Sequence, residues 1–270
     1  MPFKEARDRV ILTHPKGASV TILFFGATII SWKSPDRPVR GGIPIVFPNF
    51  GPAEHPDHKD LPQHGFSRNA PWEFDDSLLM DNEAGVAARF TLEPLDKIRA
   101  VYKRPFQLVY IVTLAEHQLT TDLHVKNTGP DPFEFQALLH TYIRAPSKEV
   151  SISPLKGKSY IDKTEVSAEG RATVKEEKRD VVDVKKPTDS VYENAPPSVQ
   201  VKWPGGGVEV RSAGFPTLTI WNPQEQGAEV PDMEEGGWER FVCVEPGYAR
   251  GFKKLDAGST YAAQQVLSVL

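Results

Sequence analysis

Proline and glycine are spread so evenly along this chain that long helices are excluded. The sequence has 24 prolines and 20 glycines among 270 residues, and they are not gathered in one linker. Proline lacks a backbone N–H and clashes with the preceding turn of a helix, so the elements between the prolines must be short. Those intervals hold β-branched and aromatic residues, separated by turns such as Lys126–Gly129 and Pro204–Gly207. This pattern is typical of an all-β protein.

The apolar runs predict where the strands lie. Leu119–Val125 alternates between apolar and polar residues, as expected of a half-buried strand. No amphipathic helix longer than two turns is recognisable. Because all-β sandwiches commonly reach about 200–250 residues as one domain, we predict that residues 1–270 form a single all-β domain. The runs predicted as strands are Val20–Phe25, Val86–Leu92, Phe106–Leu114, Leu119–Val125, Phe133–Ile143, Val208–Arg211, Leu218–Trp221, Phe241–Val244 and Tyr261–Val269.

Two charged segments interrupt these runs. Lys156–Pro187 carries charges of alternating sign, and Glu225–Glu235 is acidic. Charge runs of this kind are usually solvated, so we predict a surface excursion for the first segment and an exposed loop for the second.

Composition excludes several classes of protein. With 32 Lys+Arg against 36 Asp+Glu the formal net charge is −4, which disfavours a nucleic-acid binder that neutralises phosphates. No apolar run approaches the roughly 18–20 residues of a membrane helix, and the first residues do not resemble a signal peptide. Cys243 is the only cysteine, so neither an intrachain disulfide nor a zinc site built from cysteines is expected. We therefore expect a cytoplasmic protein with no membrane or nucleic-acid partner.

Two glycine-containing loops are rich in polar residues. In Arg40–Pro48 an arginine precedes paired glycines, which allow the backbone to approach a ligand closely. The alternative is a tight turn with an exposed arginine, and this stretch alone favours that alternative. Leu61–Asn69 places Gln63, His64 and Arg68 around another glycine. A metal site that also used His55 and His58 would lack consistent ligand spacing, so we predict a polar binding loop and no metal.

Two polar residues lie beside or within apolar strands. In an extended strand, Gln136, Leu138, His140 and Tyr142 share one face, opposite an apolar face. His140 is therefore expected to project from a rigid strand toward a mostly polar surface. A lone histidine on a strand is more often structural than functional. Glu245 ends a run of four apolar residues and is followed by Pro246–Gly247. Because a buried carboxylate is costly unless it is paired, Glu245 lies either at a rim or in a functional site.

Taken together, six segments resemble the aldose 1-epimerase (galactose mutarotase-like) superfamily, and most closely its glucose-6-phosphate 1-epimerase branch. They occur in the order that the family shows and extend over nearly the whole chain. The segments are Arg40–Pro48, Leu61–Asn69, His140–Tyr142, Thr188–Tyr192, Trp221–Pro223 and Val244–Gly247.

The resemblance implies a large antiparallel β-sandwich with the active site in a groove across one sheet. It implies interconversion of the α and β anomers of a hexose, with neither cofactor nor metal. By position, Glu245 matches the general base of the family and His140 its general acid. The sugar- and phosphate-contacting positions of the family fall on Arg40, Gln63, His64, Arg68 and Asp189.

The arginines bear on the choice of substrate. A 6-phosphate is a dianion suited to guanidinium groups, so Arg40 and Arg68 favour a hexose 6-phosphate over a free sugar. The alternatives are a mutarotase for unphosphorylated aldoses and a non-catalytic carbohydrate-binding β-sandwich. The presence of both His140 and Glu245 argues against a pure binder, which needs no matched acid and base. We expect a monomer that takes a small-molecule substrate.

The ordinary pKa values of glutamate and histidine lead to one further expectation about Glu245 and His140. With pKa values of about 4.3 for Glu and 6.5 for His, nearly all of the glutamate is ionised at pH 7 and can act as a base. Only a minority of the histidine is protonated and can act as an acid. A nearby carboxylate would raise the pKa of His140, and Asp189 is the candidate for that role.

Overall fold

The computed structural model describes residues 2–34, 42–231 and 233–270. Short helices are found at α1 Asp96–Val101 and α2 Ala168–Ala172, with 3₁₀ turns at Pro56–His58, Ser67–Asn69, Ser147–Glu149, Gln224–Glu229 and Gly237–Arg240. No described helix has the length and apolar character needed to cross a membrane. The strands are β1 Phe3–Glu5, β2 Arg9–Thr13, β3 Ser19–Leu23, β4 Ile29–Lys33, β5 Ile45–Val46, β6 Glu73–Asn82, β7 Gly85–Leu92, β8 Phe106–Leu114, β9 Gln118–Asn127, β10 Phe133–Leu139, β11 Tyr142–Arg144, β12 Ser151–Ser153, β13 Ser159–Asp162, β14 Val174–Glu176, β15 Thr188–Glu193, β16 Ser198–Trp203, β17 Gly206–Ala213, β18 Thr217–Asn222, β19 Phe241–Leu255 and β20 Thr260–Val269.

These strands form three antiparallel sheets. One 8-stranded sheet, here called the site sheet, has the order β14-β13-β15-β18-β19-β10-β5, with β11 also paired to β19. A second 8-stranded sheet, the back sheet, has the order β12-β16-β17-β20-β9-β8-β7-β6, and β1 to β4 form a smaller sheet. The prediction of an all-β antiparallel fold is confirmed.

The core lies between the site sheet and the back sheet. Along β8 every second residue is buried, as expected when one face of a strand packs inward. Phe135, Ala137 and Leu139 of β10 belong to the same buried cluster as Leu108 and Tyr110 of β8. The ring of Phe135 meets that of Tyr261 on β20 at 5.5 Å between centroids. Two sheets packed in this way form the predicted β-sandwich.

The opposite face of β10 leads toward the functional residues. Leu138 packs in a separate small cluster with Val46, Val191 and Ala249, outside the main core. The division of Phe133–Ile143 into an apolar face and a second face is therefore confirmed. The predicted single strand is broken after Leu139, because the N–H of Thr141 donates back to the carbonyl of Leu139 at 2.8 Å.

Strand β19 is longer than its sequence indicates. Pro246 and Gly247 were expected to follow its end, but the strand continues to Leu255. A side chain at Gly247 would place its Cβ 2.7 Å from the Cβ of Leu138, so glycine allows β10 and β19 to approach closely.

The charged stretch Lys156–Pro187 is not simply a solvated excursion. It contributes β13 and β14 to the site sheet. Glu177 is buried, and its carboxylate accepts hydrogen bonds from Arg179 at 2.7 and 2.9 Å and from the Tyr192 hydroxyl at 2.7 Å. These bonds to the charged form lower the pKa of Glu177 to about 2, despite its burial. The interpretation as a surface excursion was wrong for these residues. The charged Glu177 can be buried because its hydrogen bonds with Arg179 and Tyr192 compensate for the loss of water.

Candidate active site

A polar cavity of about 330 Å³ opens on the face of the site sheet that points away from the core. It brings together His140, Glu245, Gln63, His64, Arg68 and Asp189, six of the seven residues that the resemblance selects. The seventh, Arg40, lies outside the described residues. The remaining lining residues are Phe50, Tyr142, Lys163, Thr219, Trp221 and Val230.

Strand register places the two catalytic candidates opposite each other. Leu138 pairs with Gly247 and Tyr142 pairs with Cys243, on either side of the break in β10–β11. Counting inward from both pairs sets His140 against Glu245. The His140 Nδ1 lies 3.3 Å from the Glu245 Oε1. The backbone N–H of His140 is fixed by the carbonyl of Pro44 at 2.9 Å, so the imidazole projects from a rigid support.

Aromatic rings enclose the histidine. The Tyr142 ring stacks on the His140 ring at 4.8 Å with an angle of 13°, and the Trp221 ring meets it edge-on at 5.9 Å. His140 is 9% exposed and Glu245 only 1%. This burial overturns the expectation that His140 projects toward a mostly polar surface, and it places Glu245 inside the cavity wall rather than at a rim.

Several polar atoms in this cavity wall are buried without a hydrogen-bond partner in the described part of the chain. They are both carboxylate oxygens of Glu245, the Nδ1 of His140, the Oγ1 of Thr219 and the Nε of Arg68. Buried polar groups are nearly always paired in native proteins. Their concentration in one cavity indicates a site whose hydrogen bonds are completed by a ligand.

The protonation of the pair differs from the expectation drawn from ordinary pKa values. Burial lowers the pKa of His140 to about 3, and the nearby charges of His64, Arg68 and Lys163 act in the same direction. Burial raises the pKa of Glu245 well above its usual value, and the charge of Asp189 adds to this effect. For a proton that the two groups share, these directions favour the carboxyl group of Glu245 over the imidazole of His140.

The role expected of Asp189 was also wrong. The carboxyl group beside His140 is that of Glu245, and Asp189 acts on Glu245 instead. Asp189 lies on β15, with its carboxylate 3.6 Å from the Lys163 Nζ.

His64 is held as a neutral hydrogen-bond donor. Its Nδ1 accepts from the N–H of Gly51 at 3.2 Å, which leaves the ring proton on Nε2. Burial and the charges of Arg68 and Lys163 lower its pKa to about 4, so the neutral form persists at physiological pH. Its backbone φ is 66°, and the following Gly65 has no room for a side chain, because a Cβ there would lie 2.0 Å from the Phe47 carbonyl oxygen. The Gln63 side chain beside it is exposed at the cavity rim.

Lys163 lines the cavity and was not anticipated from the sequence. It follows β13 within the charged segment that was interpreted as surface, and its Nζ lies 4.4 Å above the centre of the Phe50 ring. Its backbone N–H donates to the carbonyl of Asp189 at 2.7 Å, which ties the β13–α2 connection to β15. With Arg68, it supplies positive charge on the wall of the cavity. Nothing in the local sequence separates Lys163 from the other lysines of that segment.

A larger cavity, of about 410 Å³, lies beside α1 and carries the cations Arg99, Lys103 and Arg104. Each of these cations already has a partner. Arg99 pairs with Asp96, Arg104 pairs with Asp57, and Lys103 donates to two carbonyl oxygens at the end of α1. This cavity brings no acid–base pair together, so the smaller one is the candidate active site.

A family model and curated relatives match most of this chain. The family described as "Aldose 1-epimerase" matches residues 37–268. Two relatives named "Putative glucose-6-phosphate 1-epimerase" come from Cenchrus ciliaris and from Escherichia coli K12. The first is 25% identical over 97% of this chain and 85% of its own length, and the second is 28% identical over 92% and 85%.

Solved structures resemble the fold closely. A "putative mutarotase" from Salmonella typhimurium superposes with a TM-score of 0.84 at 23% identity, covering 99% of this chain and 92% of its own. A galactose mutarotase related enzyme from Lactobacillus acidophilus gives a TM-score of 0.77 at 18% identity, covering 97% of both chains. At these identities the likeness concerns the fold, whereas the family match extends over most of the sequence. The chain belongs to the aldose 1-epimerase family.

Proposed function

We propose that this protein is a hexose-6-phosphate mutarotase that interconverts the α and β anomers of glucose 6-phosphate. The observation that carries the proposal is the buried pair of His140 and Glu245, which lie 3.3 Å apart. The His140 Nδ1 and both Glu245 oxygens have no hydrogen-bond partner in the described part of the chain, and the same cavity contains Arg68 and Lys163. An acid and a base at this separation suit the opening of a hemiacetal, and the cations suit an anionic substituent.

The pair conserves one proton throughout the reaction. Ring opening moves the proton of the anomeric hydroxyl to one member, while the other member gives its proton to the ring oxygen and the C1–O5 bond breaks. In the reactive arrangement Glu245 is the base and His140 is the acid. This arrangement arises when the proton of the Glu245 carboxyl group moves to the His140 imidazole, whose Nδ1 lies 3.3 Å from the Glu245 Oε1. Rotation about C1–C2 then presents the other carbonyl face, and the ring closes with the two roles reversed.

Neighbouring groups hold the sugar during these transfers. The Nε2–H of His64 and the Nε–H of Arg68 are donors toward substrate oxygens, and the buried Oγ1 of Thr219 is available as donor or acceptor. Because the cavity wall is largely removed from water, each such hydrogen bond is stronger than it would be in solution.

Phosphate specificity is inferred from local charge. The chain as a whole has a net charge of −4, so affinity for a dianion must come from the site itself. Arg68 and Lys163 lie on the cavity wall, and Arg40 is proposed to assist from outside the described residues. Gln63 and Asp189 are proposed to bind sugar hydroxyl groups. The names of the two relatives support the same substrate.

Anomer exchange followed by NMR tests the proposal. We expect the purified protein to accelerate exchange between the α and β signals of glucose 6-phosphate far more than those of glucose or galactose. Equal acceleration of free glucose would instead favour a mutarotase for unphosphorylated aldoses. Binding of a sugar without any acceleration would favour a non-catalytic carbohydrate-binding protein.

The dependence of the rate on pH follows from the shifted pKa values. On the acid side the pair loses its proton acceptor only when His140 gains a proton, and the lowered pKa of about 3 sets this limit well below 6.5. On the alkaline side activity falls when the pair loses its single proton, at a pH above the ordinary value for a glutamic acid. We therefore expect kcat to stay level as the pH falls from 7 to 5, after subtraction of the buffer rate. It is measured at saturating glucose 6-phosphate, because the substrate phosphate itself titrates at about pH 6 and affects kcat/KM. A decline with a midpoint near the ordinary imidazole value would contradict the proposed protonation.

A further inference from the structure

The single cysteine lies directly behind the catalytic pair. Cys243 precedes Glu245 by two residues on β19, so both side chains project from the same face of the strand. It is fully buried between its register partners, Tyr142 on β11 and Trp221 on β18. A ring nitrogen of His140, the Sγ of Cys243 and a carboxylate oxygen of Glu245 all lie within 4.8 Å of one another.

An independent feature of Glu245 indicates that a cation can bind among these atoms. Glu245 is 1% exposed and neither of its oxygens has a hydrogen-bond partner in the described part of the chain. Among the described residues, no lysine or arginine forms an ion pair with it. A cation that displaces the proton of Glu245 would give the ionised carboxylate the counter-charge that it lacks in this buried position. His140 and Glu245 line the cavity, which gives a cation access to two of the three residues, and the buried Cys243 adjoins them.

The donor set decides which cation would bind. One thiolate, one imidazole and one carboxylate are the ligand types of Zn²⁺, whereas Mg²⁺ and Ca²⁺ prefer oxygen ligands alone. Tetrahedral zinc holds its ligand atoms about 3.3–3.8 Å apart. The 3.3 Å between His140 Nδ1 and Glu245 Oε1 fits this spacing, and the Cys243 Sγ lies within 4.8 Å of a ligand atom of each residue.

We propose that His140, Cys243 and Glu245 form a binding site for a thiophilic divalent cation such as Zn²⁺, and that the bound cation inhibits catalysis. The site needs only one cysteine, so it differs from the cysteine-based zinc sites that the sequence argues against. A cation that occupies the lone pairs of His140 and Glu245 removes both the acceptor and the donor of the proton transfer.

Titration with Zn²⁺, Cd²⁺ and Co²⁺ tests the proposal in two independent ways. Zn²⁺ and Cd²⁺ are expected to inhibit anomer exchange, a chelator to restore it, and Mg²⁺ and Ca²⁺ at the same concentration to have no effect. Cd²⁺ and Co²⁺ are expected to produce thiolate-to-metal charge-transfer absorption, with the visible bands of tetrahedral Co²⁺. The absorption reports binding even if the protein does not act on glucose 6-phosphate, so failure of the proposed function and failure of the cation site are distinguishable.

Variants assign the ligands. Cys243→Ser is expected to raise the half-inhibitory Zn²⁺ concentration by about 10-fold or more, measured against the variant's own metal-free rate, and to abolish the charge-transfer band. His55→Ala is the matched control, because His55 contacts Glu134 at 3.2 Å in another histidine–carboxylate pair and lies outside the cavity. Unchanged Zn²⁺ sensitivity in Cys243→Ser would overturn the proposal. If that variant does not fold, absence of the charge-transfer band in the unmodified protein would also overturn it.

Discussion

Replacing His140 with alanine or Glu245 with glutamine is expected to slow anomer exchange of glucose 6-phosphate by about 10²-fold or more. Each change removes one partner of a concerted proton transfer, and general acid–base catalysis typically contributes about 10²–10⁴-fold. The effect should fall on kcat rather than on KM, because the bound sugar keeps its contacts with His64 and Arg68. Exchange rates measured by NMR over a range of substrate concentrations separate the two parameters.

The two variants should remain folded, and Glu245→Gln provides the sharper test. An amide of the same shape replaces a carboxyl group that is 1% exposed and unpartnered, so we expect its free energy of unfolding to be no lower than that of the unmodified protein. His55→Ala and Glu134→Gln make the same chemical changes at a partly exposed pair outside the cavity and should leave the rate unchanged. A near-normal rate in either His140→Ala or Glu245→Gln would rule out the proposed acid–base pair.

Replacing Arg68 with alanine is expected to raise KM for glucose 6-phosphate by about 10–100-fold. A hydrogen bond to a charged group contributes roughly 1.5–3 kcal/mol, and about 1.4 kcal/mol corresponds to a factor of ten in binding. Arg68→Lys should recover only part of this loss, because an ammonium group cannot form a bidentate contact with phosphate. Lys163→Gln should act in the same direction with a smaller effect, since the Lys163 charge is shared with Asp189 at 3.6 Å. Arg40→Ala is expected to behave like Arg68→Ala.

Free glucose and a second arginine supply the controls for this prediction. Any slow exchange of glucose should be almost insensitive to Arg68→Ala, because that sugar lacks the phosphate. Arg99→Ala removes an arginine from the larger cavity beside α1 and should leave KM unchanged. Equal losses on phosphorylated and free sugar would show that Arg68 holds the ring or the fold, and the phosphate assignment would then fail.

The strands that were predicted correctly contain runs of β-branched and aromatic residues, and some of them also alternate. Phe106–Leu114 coincides with β8, which alternates between buried and half-buried positions. The short strands β12, β13 and β14 were missed, because three or four residues cannot show a period and charged side chains dominate their neighbourhood. The extension of β19 through Pro246–Gly247 was missed for a different reason. It depends on contact with Leu138, which is distant in sequence.

In the candidate site, too, local sequence could not predict the properties that depend on contacts between distant segments. His140 and Glu245 were selected by family resemblance, and register explains why they meet, but no local pattern gives the distance between them. Their pKa directions were wrong in the sequence-based expectation, because burial by Tyr142 and Trp221 and charge from distant segments decide them. Lys163 was missed because only tertiary structure separates it from solvated lysines nearby.

The register that sets His140 against Glu245 has a consequence for how such proteins diversify. Both residues are fixed by backbone pairing at the centre of the site sheet, whereas Arg68 lies in a 3₁₀ turn and Lys163 follows the end of β13. If these residues have the proposed roles, insertions and substitutions in those peripheral segments can alter which sugar is accepted while the proposed His140–Glu245 pair stays in place. Selection, in nature or in a laboratory library, can therefore exchange one substrate for another without rebuilding the catalyst.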